Sequence, residues 1–114
     1  MVIVREPIEY VRRPEPLLNT KDAFACYVIN DSMSPAYEHG DLILVHPHKP
    51  VGPNKDCLFV SHHDDGGFDA LVKKLLRVHP DKWRVRQHNP QKDFDLARER
   101  WQQAMAIVGS YKGR

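Results

Sequence analysis

The strongest constraint on the fold is a hairpin signal in the middle of the chain. Residues 57–62 and 68–78 are two apolar-rich segments, and Asp64-Asp65-Gly66-Gly67 lies between them. Glycine supplies the positive φ that tight hairpin turns require. The sequence therefore predicts two antiparallel strands joined at this turn, the second of them long.

The rest of the chain repeats this pattern of short apolar segments bounded by Pro, Gly, Asn and Asp. Such punctuation is typical of strands and turns rather than helices. Further strands are predicted over residues 25–29, 42–46, 83–87 and 104–111. Residues 47–56 read as a proline-rich loop, and residues 96–103 as one or two helical turns with Ala97 and Trp101 on one side.

The N-terminal segment is predicted to differ from the remainder. Pro7, Pro14 and Pro16 interrupt regular structure there, although residues 8–11 could form a short edge strand. With 114 residues and 41% hydrophobic content, the chain can bury one core but is too short for two domains. We therefore predict an irregular arm over residues 1–23 and one mostly β domain over residues 24–114.

Charge and cysteine content exclude several classes of protein. The 17 basic and 15 acidic residues give a net charge of +2, which does not predict a nucleic-acid surface on this domain. No apolar run is long enough to span a membrane. Cys26 and Cys57 lie in apolar runs and are predicted to be reduced, buried thiols, so the expected location is the cytoplasm.

The histidines form two small clusters, His62-His63 beside Asp64-Asp65, and His46 with His48. The first cluster lies at the predicted hairpin tip and the second begins the proline-rich loop. Metal ligands normally converge from several elements at defined spacings. We therefore predict no metal site and no cofactor.

Two motifs carry residues that could do hydrolytic chemistry. Ser32 lies in Asp31-Ser32-Met33-Ser34-Pro35, and Lys73 lies on the predicted long strand within Val72-Lys73-Lys74-Leu75. A serine hydroxyl is a weak nucleophile that needs a base, and a lysine can be that base when it is neutral. Burial among apolar groups favours the neutral form.

Strand alternation does not choose between the two lysines. Lys73 shares a face with Leu71 and Leu75, and Lys74 shares the other face with Val72 and Leu76. A lysine pair beside leucines also fits surface side chains that extend to water. Ser32 equally fits a turn residue that hydrogen-bonds to nearby backbone.

From Phe24 to Tyr111 the chain resembles the peptidase domain of the LexA and phage repressor family, the S24 peptidases, and more distantly the signal peptidases. The resemblance covers about three quarters of the chain. The matching residues are Asp31-Ser32-Met33-x-Pro35, Gly40-Asp41 with the strand after it, Val72-Lys73-x-Leu75, His88-Asn89-Pro90, and Ala106-Ile107-Val108-Gly109.

The resemblance implies a fold and a set of site residues. It implies a β fold of short, highly bent strands, with Ser32 as nucleophile, Lys73 as base, and the backbone amides of Asp31 and Ser32 as the oxyanion site. It further implies a peptide substrate or a partner regulator protein, and a homodimer formed through strands near the C-terminus, where residues 104–111 suit edge pairing.

The chain departs from the family pattern in three places. Asn30 stands where the family often has glycine, and both residues tolerate left-handed backbone. Self-cleaving relatives cut an Ala-Gly or Cys-Gly bond before the serine, whereas the first glycine here is Gly40. Only 23 residues precede Phe24, too few for a helix-turn-helix domain, so we do not expect a complete repressor.

Two functions from different classes therefore follow from the sequence. One is a serine peptidase with a Ser-Lys dyad. The other is a non-catalytic module that dimerises or binds a partner within a transcriptional regulator. The position of Lys73 discriminates between them, because a buried amine within hydrogen-bond reach of Ser32 fits an enzyme and a solvent-exposed one fits the module.

Overall fold

The computed structural model describes residues 3–7, 23–29 and 31–113. These ranges contain eight strands and no helix, as predicted for a mostly β protein. None of the described residues forms a helix that could cross a membrane. The strands are β1 Ile3–Pro7, β2 Phe24–Val28, β3 Leu42–His46, β4 Lys55–His62, β5 Phe68–Val78, β6 Lys82–His88, β7 Gln91–Ala97 and β8 Gln103–Tyr111.

All eight strands belong to one sheet in the order β1-β2-β3-β8-β4-β5-β6-β7, and every neighbouring pair is antiparallel. The hairpin signal is confirmed, because β4 pairs with β5 along its whole length and Gly66 has a φ of 91° in the turn. The C-terminal strand β8 returns to the middle of the sheet and joins its two halves.

The position of β8 corrects the expectation that residues 104–111 form an edge strand. This strand pairs with β3 from Ala106 to Tyr111 and with β4 from Gln103 to Ala106. The pairing with β4 stops at Ala106, opposite Cys57, although β4 itself continues to Lys55 and pairs with β5 there. Beyond Ala106, the described part of the chain has no strand paired with the β4-facing side of β8, where residues 106–108 line a cleft with residues 49–51 and 54–56.

The six strands predicted from sequence are present within a few residues, but β7 was missed. Residues 96–103 were expected to be helical, whereas Leu96 is a buried residue of strand β7. A single turn remains after it, in which the backbone amides of Arg100 and Trp101 both donate to the Ala97 carbonyl. The alternation in β7 is weak, because Lys92 shares a face with Phe94 and Leu96 while Asp93 and Asp95 lie on the other face.

The strand β1 corrects part of the expectation of an irregular N-terminal arm. Residues Ile3–Pro7 pair with β2, with Ile3 opposite Val28 and Pro7 opposite Phe24. Proline is tolerated there because it closes an edge strand, where a missing N–H breaks no central ladder. The short strand proposed over residues 8–11 lies outside the described residues.

The buried residues form two core clusters, which lie on opposite faces of the sheet at β4 and β5. On β4, Leu58 and Val60 join one cluster, while Cys57 and Phe59 join the other, as alternation along a strand requires. The second cluster includes Trp83, whose indole N–H donates to the Trp101 carbonyl at 2.9 Å. Burial on both faces explains why five consecutive residues of β4 are inaccessible to water.

Asp41 ties the C-terminus to the loop that follows residue 31. Its carboxylate is 2% exposed and accepts hydrogen bonds from the amides of Glu38 at 2.9 Å and Gly113 at 2.8 Å, and from Lys112 Nζ at 3.2 Å. Burial alone would raise the pKa of Asp41, but these donors prevail and hold it below its ordinary value. Gly113 packs on the Gly40 carbonyl so closely that a side chain there would collide with it.

We predict that Asp41→Asn destabilises the fold by about 2–3 kcal/mol, because the amide places N–H groups against backbone donors and removes a buried charge with three partners. Urea unfolding near neutral pH measures the change. Asp93→Asn is the matched control, since Asp93 forms a solvent-accessible pair with Arg86, and exposed pairs of this kind contribute little to stability. Equal losses of stability in the two variants would contradict the role given to Asp41.

Candidate active site

Ser32 lies in a tight turn that is anchored by its neighbours. Met33 is fully buried in the first core cluster, and Tyr37 is buried beside it. Within the turn, the Tyr37 amide donates to the Met33 carbonyl at 3.0 Å, and the Ser34 amide donates to the Asp31 carbonyl at 3.0 Å. Because Met33 points into the core, Ser32 is held at the surface and half-buried.

A buried phenol connects this turn to the central strands. Tyr37 donates its hydroxyl proton to Asp56 Oδ2 at 2.9 Å. Burial, followed by the charge of Asp56, raises the pKa of Tyr37, so the phenol stays protonated and remains the donor. Asp56 directly precedes Cys57, which lies opposite Lys73 in the β4–β5 pair. The turn is therefore braced against the strand next to the lysine.

Lys73 is brought to Ser32 by the long strand β5. Its side chain is only 3% exposed, and Nζ donates a hydrogen bond to Ser32 Oγ at 3.0 Å. Lys74 is half-buried on the opposite face of the strand. The structure thus brings together Ser32 and Lys73, the two residues that the resemblance selected, and leaves Lys74 elsewhere.

The surroundings of Lys73 favour its neutral form. Burial, and next the positive charge of Lys92, lower the pKa of Lys73 from 10.5 to about 8. Lys92 is on β7, two strands away, where it lies opposite Gln87 of β6. The sequence did not single out Lys92, because its effect depends on a strand that was not predicted.

The turn between β6 and β7 holds the backbone on both sides of Ser32. Asn89 Nδ2 donates to the Asp31 carbonyl at 3.2 Å, and the Asn89 amide donates to the Ser32 carbonyl at 2.8 Å. The His88 amide also donates to the Ser32 carbonyl, at 3.2 Å. The sequence predicted a turn at Asn89 but not its contact with residues 31–37, the loop that carries Ser32 and is called the serine loop below.

The two cysteines are buried thiols, and Cys57 lies next to the candidate base. Burial, and then the charge of Asp56, raise the pKa of Cys57 to about 12, so this thiol stays protonated beside Lys73. Cys26 and Cys57 are both buried and unbridged. In the described ranges, no three His, Cys, Asp or Glu side chains are grouped so that they could hold a metal ion.

The geometry therefore consists of a surface serine, a buried amine in contact with it, and a backbone turn held from two directions. A lysine with a pKa near 8 can accept a proton from a serine hydroxyl at hydrogen-bond distance. The amides of Asp31 and Ser32 belong to this turn, and their part in binding an oxyanion stays a prediction.

Comparisons with known proteins agree with the sequence resemblance. The Peptidase S24-like family matches residues 2–112. Repressor protein C of Rhizobium phage 16-3 is 33% identical over 96 residues, which cover 81% of this chain and 36% of that repressor. The chain thus spans little more than a third of the length of this relative. No solved structure matches it. On the extent of the family match, the chain belongs to the Peptidase S24-like family.

Proposed function

We propose that this chain is the peptidase domain of a phage-repressor type regulator and hydrolyses a peptide bond with Ser32 as nucleophile and Lys73 as base. The observation that carries the proposal is the 3.0 Å contact between Lys73 Nζ and Ser32 Oγ at a lysine that is 3% exposed. Family membership supports it, and we extend the regulatory role from the name of the phage repressor.

In the proposed reaction, neutral Lys73 takes the hydroxyl proton as Ser32 Oγ attacks the substrate carbonyl. The amides of Asp31 and Ser32 donate to the oxygen that becomes negatively charged. Lys73 then returns the proton to the leaving amine, and water hydrolyses the acyl-enzyme. With a pKa of about 8, roughly one tenth of Lys73 is neutral at pH 7, so the rate rises with pH until that pKa is passed.

The placement of Lys73 favours the peptidase over the non-catalytic module. A module that only dimerises or binds a partner does not need an amine buried next to a serine, and burying an amine costs stability. A surface lysine that extends to water would have fitted the module. We propose a cytoplasmic location on the same basis as the regulatory role.

The substrate proposed is an extended peptide. Ser32 is half-buried at the surface, where a peptide backbone can reach it. The chain has no Ala-Gly or Cys-Gly bond before Ser32, since Gly40 is its first glycine. Hydrolysis is therefore tested on separate peptides that contain an Ala-Gly or Cys-Gly bond, and not on the chain itself.

We propose further that the domain is a homodimer. In the part of the chain that the structure describes, no strand pairs with the β4-facing side of β8 beyond Ala106, and residues 106–108 there line a cleft with Tyr37 and residues 49–51 and 54–56. Two copies can pair these edges antiparallel about a twofold axis. Ile107 lies at the start of this edge and is half-buried.

The dyad predicts that Ser32→Ala and Lys73→Ala each lower the reaction rate by at least about a thousandfold, because residues that act as a unit lose activity together. Hydrolysis of Ala-Gly peptides and labelling of Ser32 by a fluorophosphonate measure the rates. Lys74→Ala is the matched control and retains most activity. Equal rates for the unmodified protein and Lys73→Ala would disprove the assignment.

The dimer predicts that Ile107→Lys yields a monomer in sedimentation at micromolar concentration, because the substitution places two charges at the paired edge. Val78→Lys, at an exposed apolar position on β5, is the control and stays dimeric. Circular dichroism shows whether both variants are folded. A protein that is monomeric without any substitution contradicts this part of the proposal.

A further inference from the structure

The β6–β7 turn makes contacts with the serine loop that the proposed dyad leaves unexplained. Three donors of this turn, the side-chain and backbone amides of Asn89 and the backbone amide of His88, converge on the carbonyls of Asp31 and Ser32. Two of these bonds come from a single residue. Residue 89 is separated by more than 50 positions from the loop it holds.

These bonds control the direction of a backbone N–H group. The carbonyl of Asp31 and the N–H of Ser32 belong to one planar trans peptide and point in opposite directions. A donor that holds the carbonyl therefore also sets where the N–H points. The Ser34 amide is a second donor to this carbonyl, but it belongs to the same turn and moves with it, whereas Asn89 is fixed on a separate hairpin.

Resting on the proposed Ser-Lys chemistry, we propose that Asn89 is a positioning residue that aims the Ser32 N–H at the oxyanion. Its side chain holds the peptide plane between Asp31 and Ser32, and its backbone amide holds the next plane. An oxyanion donor stabilises the transition state only if it is aimed in advance, so the loss of this support slows the chemical step more than it weakens binding.

The experiment is the reaction of the whole chain with an alkyl fluorophosphonate, followed by intact mass spectrometry. In this reaction the Ser32 Oγ–P bond forms, the P–F bond breaks, fluoride leaves, and the serine proton passes to Lys73. The phosphonyl oxygen occupies the oxyanion position. Rates at several probe concentrations separate the maximal rate constant, kinact, from the half-saturating concentration, KI.

We expect Asn89→Ala to lower kinact about tenfold, the effect of one lost hydrogen bond, with KI unchanged. The midpoint of the pH–rate profile stays in place, because the pKa of Lys73 is set by burial and Lys92. Asn89→Leu keeps the branched shape without a donor and shows the same loss. Gln102→Ala is the matched control, because the Gln102 side chain also hydrogen-bonds to exposed backbone, at His62 and Glu99. We expect this variant to react like the unmodified protein.

Each other outcome overturns the inference in a distinct way. Normal kinact in both Asn89 variants, with no labelling of Ser32→Ala, overturns the role of Asn89 and leaves the peptidase proposal standing. A shifted pH midpoint without loss of maximal rate shows that Asn89 acts through Lys73 instead. An equal loss in Gln102→Ala shows general destabilisation. A chain that is never labelled at Ser32 overturns both proposals.

Discussion

The hydrogen bond between Lys73 Nζ and Ser32 Oγ requires a buried amine, and the rest of the structure must hold that amine in place and stabilise the fold against its burial. An amine with 3% exposure loses much of its solvation, and its pKa falls from 10.5 to about 8. This difference costs about 3 kcal/mol of stability where the amine is charged. The unfolded chain binds more protons between pH 8 and 10.5, so the stability rises with pH across that window and the cost is full below it. The two buried cores must offset this cost.

The serine loop is held by elements that are far apart in the sequence. Met33 anchors it in the first core, Tyr37 bonds it to Asp56 at the start of β4, and Asn89 holds it from the β6–β7 turn. Asp41 adds the C-terminal residues to the same region. The return of β8 to the middle of the sheet makes this arrangement achievable, because it joins the half that carries Ser32 to the half that carries Lys73.

Local patterns predicted the strands well, and they predicted the site only with the help of the family motifs. The hairpin of β4 and β5 follows from Asp64-Asp65-Gly66-Gly67, a signal that needs no tertiary information. Alternation left Lys73 and Lys74 equivalent, and the resemblance chose between them. The contacts of Asn89 and Lys92 were out of reach, because they depend on the unpredicted strand β7 and on where a distant turn lies in space.

The protonation equilibrium of Lys73 itself shows whether its amine can act as the base. Lysine Nζ and Cε signals, assigned with a Lys73→Arg variant, follow this equilibrium by NMR between pH 6 and pH 11 in the folded protein. If Lys73 is the base, the signal that the variant lacks has its midpoint near pH 8. A midpoint at or above 10.5 would show that Lys73 is a solvated ammonium and cannot serve as the base.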